Sequence, residues 1–286
     1  MKMMKGMLIA LTPITLAAIW FYRLPAVMLI LVSVVSALAA EALWQLAFKK
    51  PVKLKDGSAA VTGLLLALTV SPSLSLPIMA AGSVFGIIIG KQIWGGFGKN
   101  IINPALTGRL FIVFAFPGSL APWLAPIDLV STATPLQKFW ADGTLTSNVS
   151  LLLGNVAGSI GETSALLLLI GGAWLIWKGY ANWRIPAGCL GAVALWALIA
   201  GHDPLFHLLS GSLLLGALFM ATDPATSPRT QSGRWIFGVL VGAGIMAMRF
   251  FTTYPEGTTF AILFFNLTVP LINKLTVKKK KTAAAA

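Results

Sequence analysis

Charge is scarce in this sequence. Only 10% of its 286 residues are charged, against about 25% in an ordinary soluble domain, so a water-covered surface is excluded. Acidic residues are fewest, with eight Asp and Glu against 21 Lys and Arg, and no carboxylate pair is placed for general acid–base work. No catalytic residue is therefore assigned. The single cysteine, Cys189, lies in an apolar run. It rules out an internal disulfide and a Cys-x-x-Cys ligand pair for an iron–sulfur cluster, and reads as a small buried side chain. Two histidines, His202 and His207, are too few for an ordinary zinc site, so no metal site is assigned. No small-residue cleavage site follows the apolar run after Lys2 and Lys5, so that run reads as a first membrane span rather than a removable signal.

What the chain has in quantity is apolar sequence, 57% of all residues. A membrane-crossing helix needs about 20 largely apolar residues. Hydropathy and helix breakers divide the chain into ten segments, at 7–22, 25–48, 58–70, 76–94, 104–118, 163–178, 184–200, 205–221, 234–250 and 257–274. The expected fold is an all-α integral membrane protein of about ten transmembrane helices. With the N-terminus in the cytoplasm, inside connections hold 17 of the 21 basic residues, from Lys2 and Lys5 through Lys91 and Lys99 to the run at 278–281. That bias is the positive-inside pattern. It explains the net charge of +13 by topology and lipid headgroups rather than by nucleic acid. Both termini are then cytoplasmic, and the connection 118–162 lies outside.

The halves resemble each other. Tyr22-Arg23-Leu24-Pro25-Ala26 opens the second segment, and Trp183-Arg184-Ile185-Pro186-Ala187 opens the seventh. Thr62-Gly63-Leu64-Leu65-Leu66 answers Ser210-Gly211-Ser212-Leu213-Leu214 in the same order. Five spans per half is an odd number, so the expected architecture is two inverted five-helix repeats with broken half-helices. This arrangement is common in transporters, and on these grounds alone a channel or carrier for a small solute is a serious reading. The expected division is 1–118 for the first repeat, 119–162 for an outer loop, 163–275 for the second repeat and 276–286 for a basic cytoplasmic tail.

Four motifs stand in the connections. Asp128-Leu129-Val130-Ser131-Thr132-Ala133-Thr134 puts hydroxyls in the exposed outer loop, where Ser and Thr ordinarily form turns with their own backbone. GKQIWGGFGKNIINPA, 90–105, ends with Asn103 as helix N-cap and Pro104 at the first helical position. Gly161-Glu162-Thr163-Ser164-Ala165 places a carboxylate at a helix start. FMATDPATSP, 219–228, carries Asp223 at a turn or at the end of a broken helix. Charges within spans are costly and need a reason. Glu41 pairs with Lys49 or snorkels, Arg109 needs a carboxylate or phosphate partner, and Arg249 reaches toward the outer surface.

In this order and spacing the motifs resemble one family, the D subunits of Rnf-type electron transport complexes and the homologous B subunits of sodium-pumping NADH:quinone oxidoreductases. The resemblance runs from Asp56-Gly57 through GKQIWGGFGKNIINPAL, DLVSTATPL, GSIGETSALLLLIGG and FMATDPATSP to YPEGTTFAIL at 254–263. It implies a fold similar to urea channels. It also implies a place among the other subunits of a prokaryotic inner-membrane complex that passes electrons between ferredoxin and NAD and couples this to sodium or proton transport. The 128–134 stretch resembles the flavinylation motif, in which a flavin transferase joins the phosphate of FMN to the last hydroxyl. The implied covalent FMN site is Thr134, with Asp128, Ser131, Thr132 and Ala133 as the signal. Thr132 departs from the pattern's glycine. Arg109 and Arg249 are further candidates for the flavin phosphate, and the resemblance also admits a non-covalent riboflavin. A scaffold without cofactor is the reading if Thr132 blocks the transfer.

Overall fold

The structure is a computed structural model that describes residues 2–162, 164–252 and 257–277. The expected Thr163, Tyr254-Pro255-Glu256 and the basic run at 278–281 lie outside the described residues. All regular structure among the described residues is helical, apart from one isolated bridge between Leu124 and Ser131.

The first helix, α1 (Lys2–Ala47), has 46 residues, about 69 Å at 1.5 Å per residue. That is twice a hydrocarbon core of about 30 Å. Arg23 breaks it, with φ 50° and ψ −129°, just before Pro25. The break falls where the sequence separates its first two segments, because a residue before a proline-bearing turn cannot keep helical hydrogen bonding. After a short 3₁₀ turn at Leu54–Asp56 come α2 (Ser58–Leu68), α3 (Leu76–Ile87) and α4 (Pro104–Ala115). Then follow α5 (Pro135–Asp142), α6 (Asn148–Leu153), α7 (Ala165–Trp177), α8 (Arg184–Ile199), α9 (Pro204–Leu209), α10 (Leu213–Leu215), α11 (Gln231–Phe251) and α12 (Thr258–Thr276). By length and composition α1, α11 and α12 can cross a membrane, and α2, α3, α4, α7 and α8 are shorter apolar helices. Their lipid-type faces stay uncovered: Trp20, Trp177, Ile199 and Phe264 are all more than 60% exposed. This is an all-α integral membrane protein.

Small residues set the helix contacts. Gly63 of α2 sits on the backbone of α1, where a Cβ would stand 2.8 Å from the Ser33 carbonyl oxygen. Ser33 Oγ donates to the Gly63 carbonyl at 2.6 Å and bonds Ser83 Oγ of α3 at 2.9 Å. Gly86 and Gly108 bring α3 against α4. Gly238 and Gly242 bring α11 against the Ile185 and Cys189 carbonyls of α8. In lipid no hydrophobic force drives helices together, so close backbone approach at small residues carries the packing. Cys189 is fully buried in that seam, as expected of a small apolar residue.

The second half is more broken than the first. Gly211 has φ +66° and separates α9 from α10, and a π-helical turn at Gly216–Met220 follows. A second π-helical turn, Ile88–Gln92, ends α3. The sequence-paired Gly63 is no break at all; it lies inside α2. The connection 119–162 is likewise more than a loop. It carries α5 and α6 and ends in a segment that caps α2, with Ile160 N–H donating to the Val70 carbonyl and Gly161 N–H to that of Leu68, at 3.0 and 2.9 Å. Those carbonyls are orphans of a helix C-terminus and need such donors.

Candidate functional site

The 124–134 stretch folds back on itself. Ala125 N–H donates to the Val130 carbonyl and Thr132 N–H to that of Trp123, at 2.8 and 2.9 Å. The turn forces Ile127 and Leu129 to φ 69° and 56°, a left-handed region that costs non-glycine residues roughly 1–2 kcal/mol. Ile127 N–H is tied to the Phe21 carbonyl at 2.8 Å, which holds the hairpin on the end of the first half of α1. Asp128, Ser131 and Ala133 are exposed and Thr132 is half-buried.

Thr134 itself is buried, 4% exposed, where the sequence suggests an open hydroxyl. The cause is local. Thr134 is the N-cap of α5, its Oγ1 accepting from Gln137 N–H at 3.3 Å while its own N–H donates to Gln137 Oε1 at 2.9 Å. This capping box fixes the turn, and Leu136, 1% exposed, drives the helix start into an apolar nest with Leu151 and Phe206.

A narrow crevice opens at Thr134, with Gly158, Glu162, Leu209 and Gly211 in its wall. Gly211 links it to Arg249: a Cβ there would lie 2.8 Å from Leu136 Cδ1 and 3.6 Å from Arg249 Nη2. Arg249 is 2% exposed and does not reach the surface. Its Nη1 and Nη2 donate to the carbonyls of His207 and Ser210 at 2.7 and 2.8 Å, which satisfies the backbone orphaned by the Gly211 break. Neither Arg249 nor Arg109, the latter 3% exposed in α4, lines this crevice.

For FMN on Thr134 the surroundings fit the phosphate. The oxygen sits at the positive end of α5, and a guanidinium lies just beyond Gly211. The crevice has room for little more than a water-sized group, so the ring of a flavin joined to Thr134 would lie outside it. Glu162, 6% exposed, opposes an anion. Its Oε1 accepts from Ser159 N–H at 2.6 Å. It does not cap α7, as the sequence suggests; Ser164 does, accepting from Leu167 N–H at 3.4 Å.

The opposite end of the bundle holds a second site. Met3 and Tyr22 mark the two ends of the first half of α1, roughly 28 Å apart at 1.5 Å per residue. Near Met3 a pocket is lined by Met7, Lys91, Asn100, Tyr180, Phe219 and Asp223, among others. Its floor is a buried ion pair. Lys91 Nζ lies 2.6 Å from both Glu41 Oε2 and Ser58 Oγ, and Glu41 Oε1 accepts from Gln92 and Gln45 at 3.0 and 3.2 Å. Glu41 thus pairs with Lys91, not Lys49, and Lys91 is a buried partner rather than a topology charge. The signal available in sequence was Glu41 itself, since an intramembrane carboxylate calls for a cation. Asn103 caps α4 as expected, accepting from Ala105 and Leu106 N–H at 3.0 and 3.2 Å. Its own N–H donates to Asn266 Oδ1 of α12 at 3.1 Å. Asp223 accepts from Ala225 N–H at 3.0 Å, and burial pushes its carboxyl above the usual range, opposed by that N–H and by Asn100. Its aromatic and amide-bearing wall offers stacking faces and hydrogen-bonding groups to a planar polar ligand.

Fold and sites together define a helical membrane protein with polar sites at opposite ends of an apolar bundle. Residues 1–282 match the profile of the NQR2, RnfD, RnfE family, and the chain belongs to that family. Among its relatives is the D subunit of the Na(+)-translocating ferredoxin:NAD(+) oxidoreductase complex of Acetobacterium woodii, 42% identical over 97% of this chain and 89% of that protein. The D subunit of the proton-translocating ferredoxin:NAD(+) oxidoreductase complex of Clostridium ljungdahlii is 37% identical over 96% and 89%. The D subunit of the ion-translocating oxidoreductase complex of Escherichia coli strain K12 is 35% identical over 96% and 92%.

Proposed function

We propose that this chain is the D-type membrane subunit of an ion-translocating ferredoxin:NAD oxidoreductase complex, and that it carries FMN covalently on Thr134. The observation that carries the reading is the near-full-length likeness to subunits of that name, combined with a motif threonine at the N-terminus of a capped helix. In this reading both termini are cytoplasmic and the Thr134 end faces outward across the inner membrane, as the basic residues argue. The other subunits of the complex and a flavin transferase are its partners, and the halves act as two inverted repeats.

FMN, when bound, supplies reversible electron transfer. The chain's own residues do the rest. Thr134 Oγ1 provides the ester oxygen. The N-terminus of α5 and the Arg249 guanidinium offset the phosphate charge, and Asp128, Ser131, Thr132 and Ala133 form the stretch that the transferase reads. Burial of Thr134 behind Leu136 requires the start of α5 to lift before the transferase can reach it. The pocket above Lys91 is the seat for a second, non-covalent flavin of the riboflavin type.

The test is co-expression with a flavin transferase, followed by tryptic mass spectrometry and in-gel flavin fluorescence under denaturing conditions. The wild type should carry an FMN-sized mass on the Thr134 peptide. Thr134→Val should carry none, while Thr134→Ser, which keeps both the cap and the nucleophile, should carry it. An unmodified wild-type peptide, with the transferase active on a control substrate, would leave a channel-like or scaffolding subunit as the better reading.

A further inference from the structure

A groove on the membrane-facing side of α8 and α11 has no counterpart in the redox reading. Gly188, Gly191 and Ala192 form its floor, and Leu195, Trp196 and Val239 stand along its walls. It encloses about 980 Å³ together with its open mouth. Gly191 is exposed, and a Cβ there would meet no atom within 4 Å, so the floor is low because nothing among the described residues fills it. From Ala187 to Ile199 the groove runs about 18 Å along α8. That is close to the hydrocarbon depth of one leaflet, about 15 Å, and short of a crossing helix.

One end of the groove is chemically distinct. Trp183 and Trp235 meet there edge to face at 5.4 Å, 48% and 38% exposed. Arg184 lies over the Trp183 ring, 5.0 Å from its centroid, and Arg234 precedes Trp235. Arg234 donates only its Nε, to the Pro228 carbonyl at 3.1 Å. Neither arginine forms an ion pair among the described residues. Tryptophan marks the membrane–water interface, and two half-buried guanidiniums without carboxylates call for an anion. A second groove between α1 and α3, lined by Ala40, Leu43, Trp44 and Val84 among others, ends the same way: Trp44 packs on Phe48 and Lys50 Nζ lies 6.0 Å from the Phe48 ring.

We propose that the α8–α11 groove is a binding site for one anionic phospholipid, its acyl chain on Gly188, Gly191 and Ala192 and its phosphate held by Arg184 and Arg234. The leaflet-length floor admits a chain, and the paired cations at the tryptophan end select the headgroup. The site does not depend on flavin.

Native mass spectrometry of the full-length chain, purified in mild detergent alone and in its assembled complex, tests it with palmitoyl-oleoyl phosphatidylglycerol and phosphatidylcholine at equal concentration. A basic side chain near a membrane surface contributes about 1 kcal/mol, or fivefold, so two predict roughly a 25-fold preference for phosphatidylglycerol. Arg184→Gln with Arg234→Gln should bring the ratio close to one while some of either lipid still binds. Gly191→Leu, whose Cβ would meet no atom within 4 Å and which improves helix propensity, should lower occupancy by both lipids. The proposal is overturned if wild type binds the two lipids equally, or if the double variant keeps the preference. It is also overturned if Gly191→Leu leaves lipid occupancy unchanged but releases another subunit from the complex, which would make the groove a protein interface.

Discussion

Lys91→Met separates a structural from an incidental role for the charge at the floor of the second pocket. Both side chains of the Lys91–Glu41 pair are 2% exposed. Removing one partner of such a pair leaves the other charge uncompensated and costs about 3–5 kcal/mol. Here Glu41 keeps the Gln92 and Gln45 donors on Oε1 and loses only the contact on Oε2. Ser58 loses the ammonium but still donates to Asp56 Oδ1 at 2.7 Å. These remaining bonds place the cost at the lower end, about 3 kcal/mol. The double variant Glu41→Leu, Lys91→Met leaves no orphan charge. Replacing a buried pair by apolar residues is close to neutral in other proteins, so it should recover at least about 2 kcal/mol of the loss, and the double-mutant cycle reads that coupling directly. The assay is unfolding in mixed detergent and SDS micelles, followed by tryptophan fluorescence. The reasoning is refuted if Lys91→Met unfolds at the wild-type midpoint, or if the double variant is no more stable than Lys91→Met alone.

Two further outcomes follow from packing. Gly242→Ala should destabilise the chain by about 1–3 kcal/mol, the usual cost of overpacking, because its Cβ would collide with the Cys189 carbonyl; the same micelle unfolding reads it, and Gly191→Ala, facing open space, should not lower the midpoint. Leu136→Ala should speed flavin attachment at Thr134 in a transferase time course, since it weakens the contact that buries the start of α5; a slower or unchanged rate would show that burial of Thr134 does not limit access.

The segment boundaries were legible because breakers and apolar length speak locally. Arg23-Leu24-Pro25 and Asn103-Pro104 each mark an end that the structure keeps, through a helix break at the first and a side-chain cap at the second. The sites were legible only in part, because pairing across the bundle has no local signature. Glu41 could be recognised as a group needing a cation, yet Lys49, about two turns further along the same chain, was the partner in local reach, and Lys91, fifty residues away, read as a charge of an inside connection. Lys91 lies in the π-helical turn at the end of α3 and is buried there. Thr134 shows the same limit. Its motif reads as an exposed acceptor, but Gln137 and Leu136, outside the motif, cap and bury it. On the proposed reading, the residues that a transferase would recognise and those that would govern its access to the hydroxyl are therefore different sets. Asp128, Ser131 and Ala133 are on the surface, where a recognition signal would have to be, while Leu136 and the crevice wall bury Thr134. Such a chain would present the signal at all times and release the hydroxyl only when the start of α5 lifts.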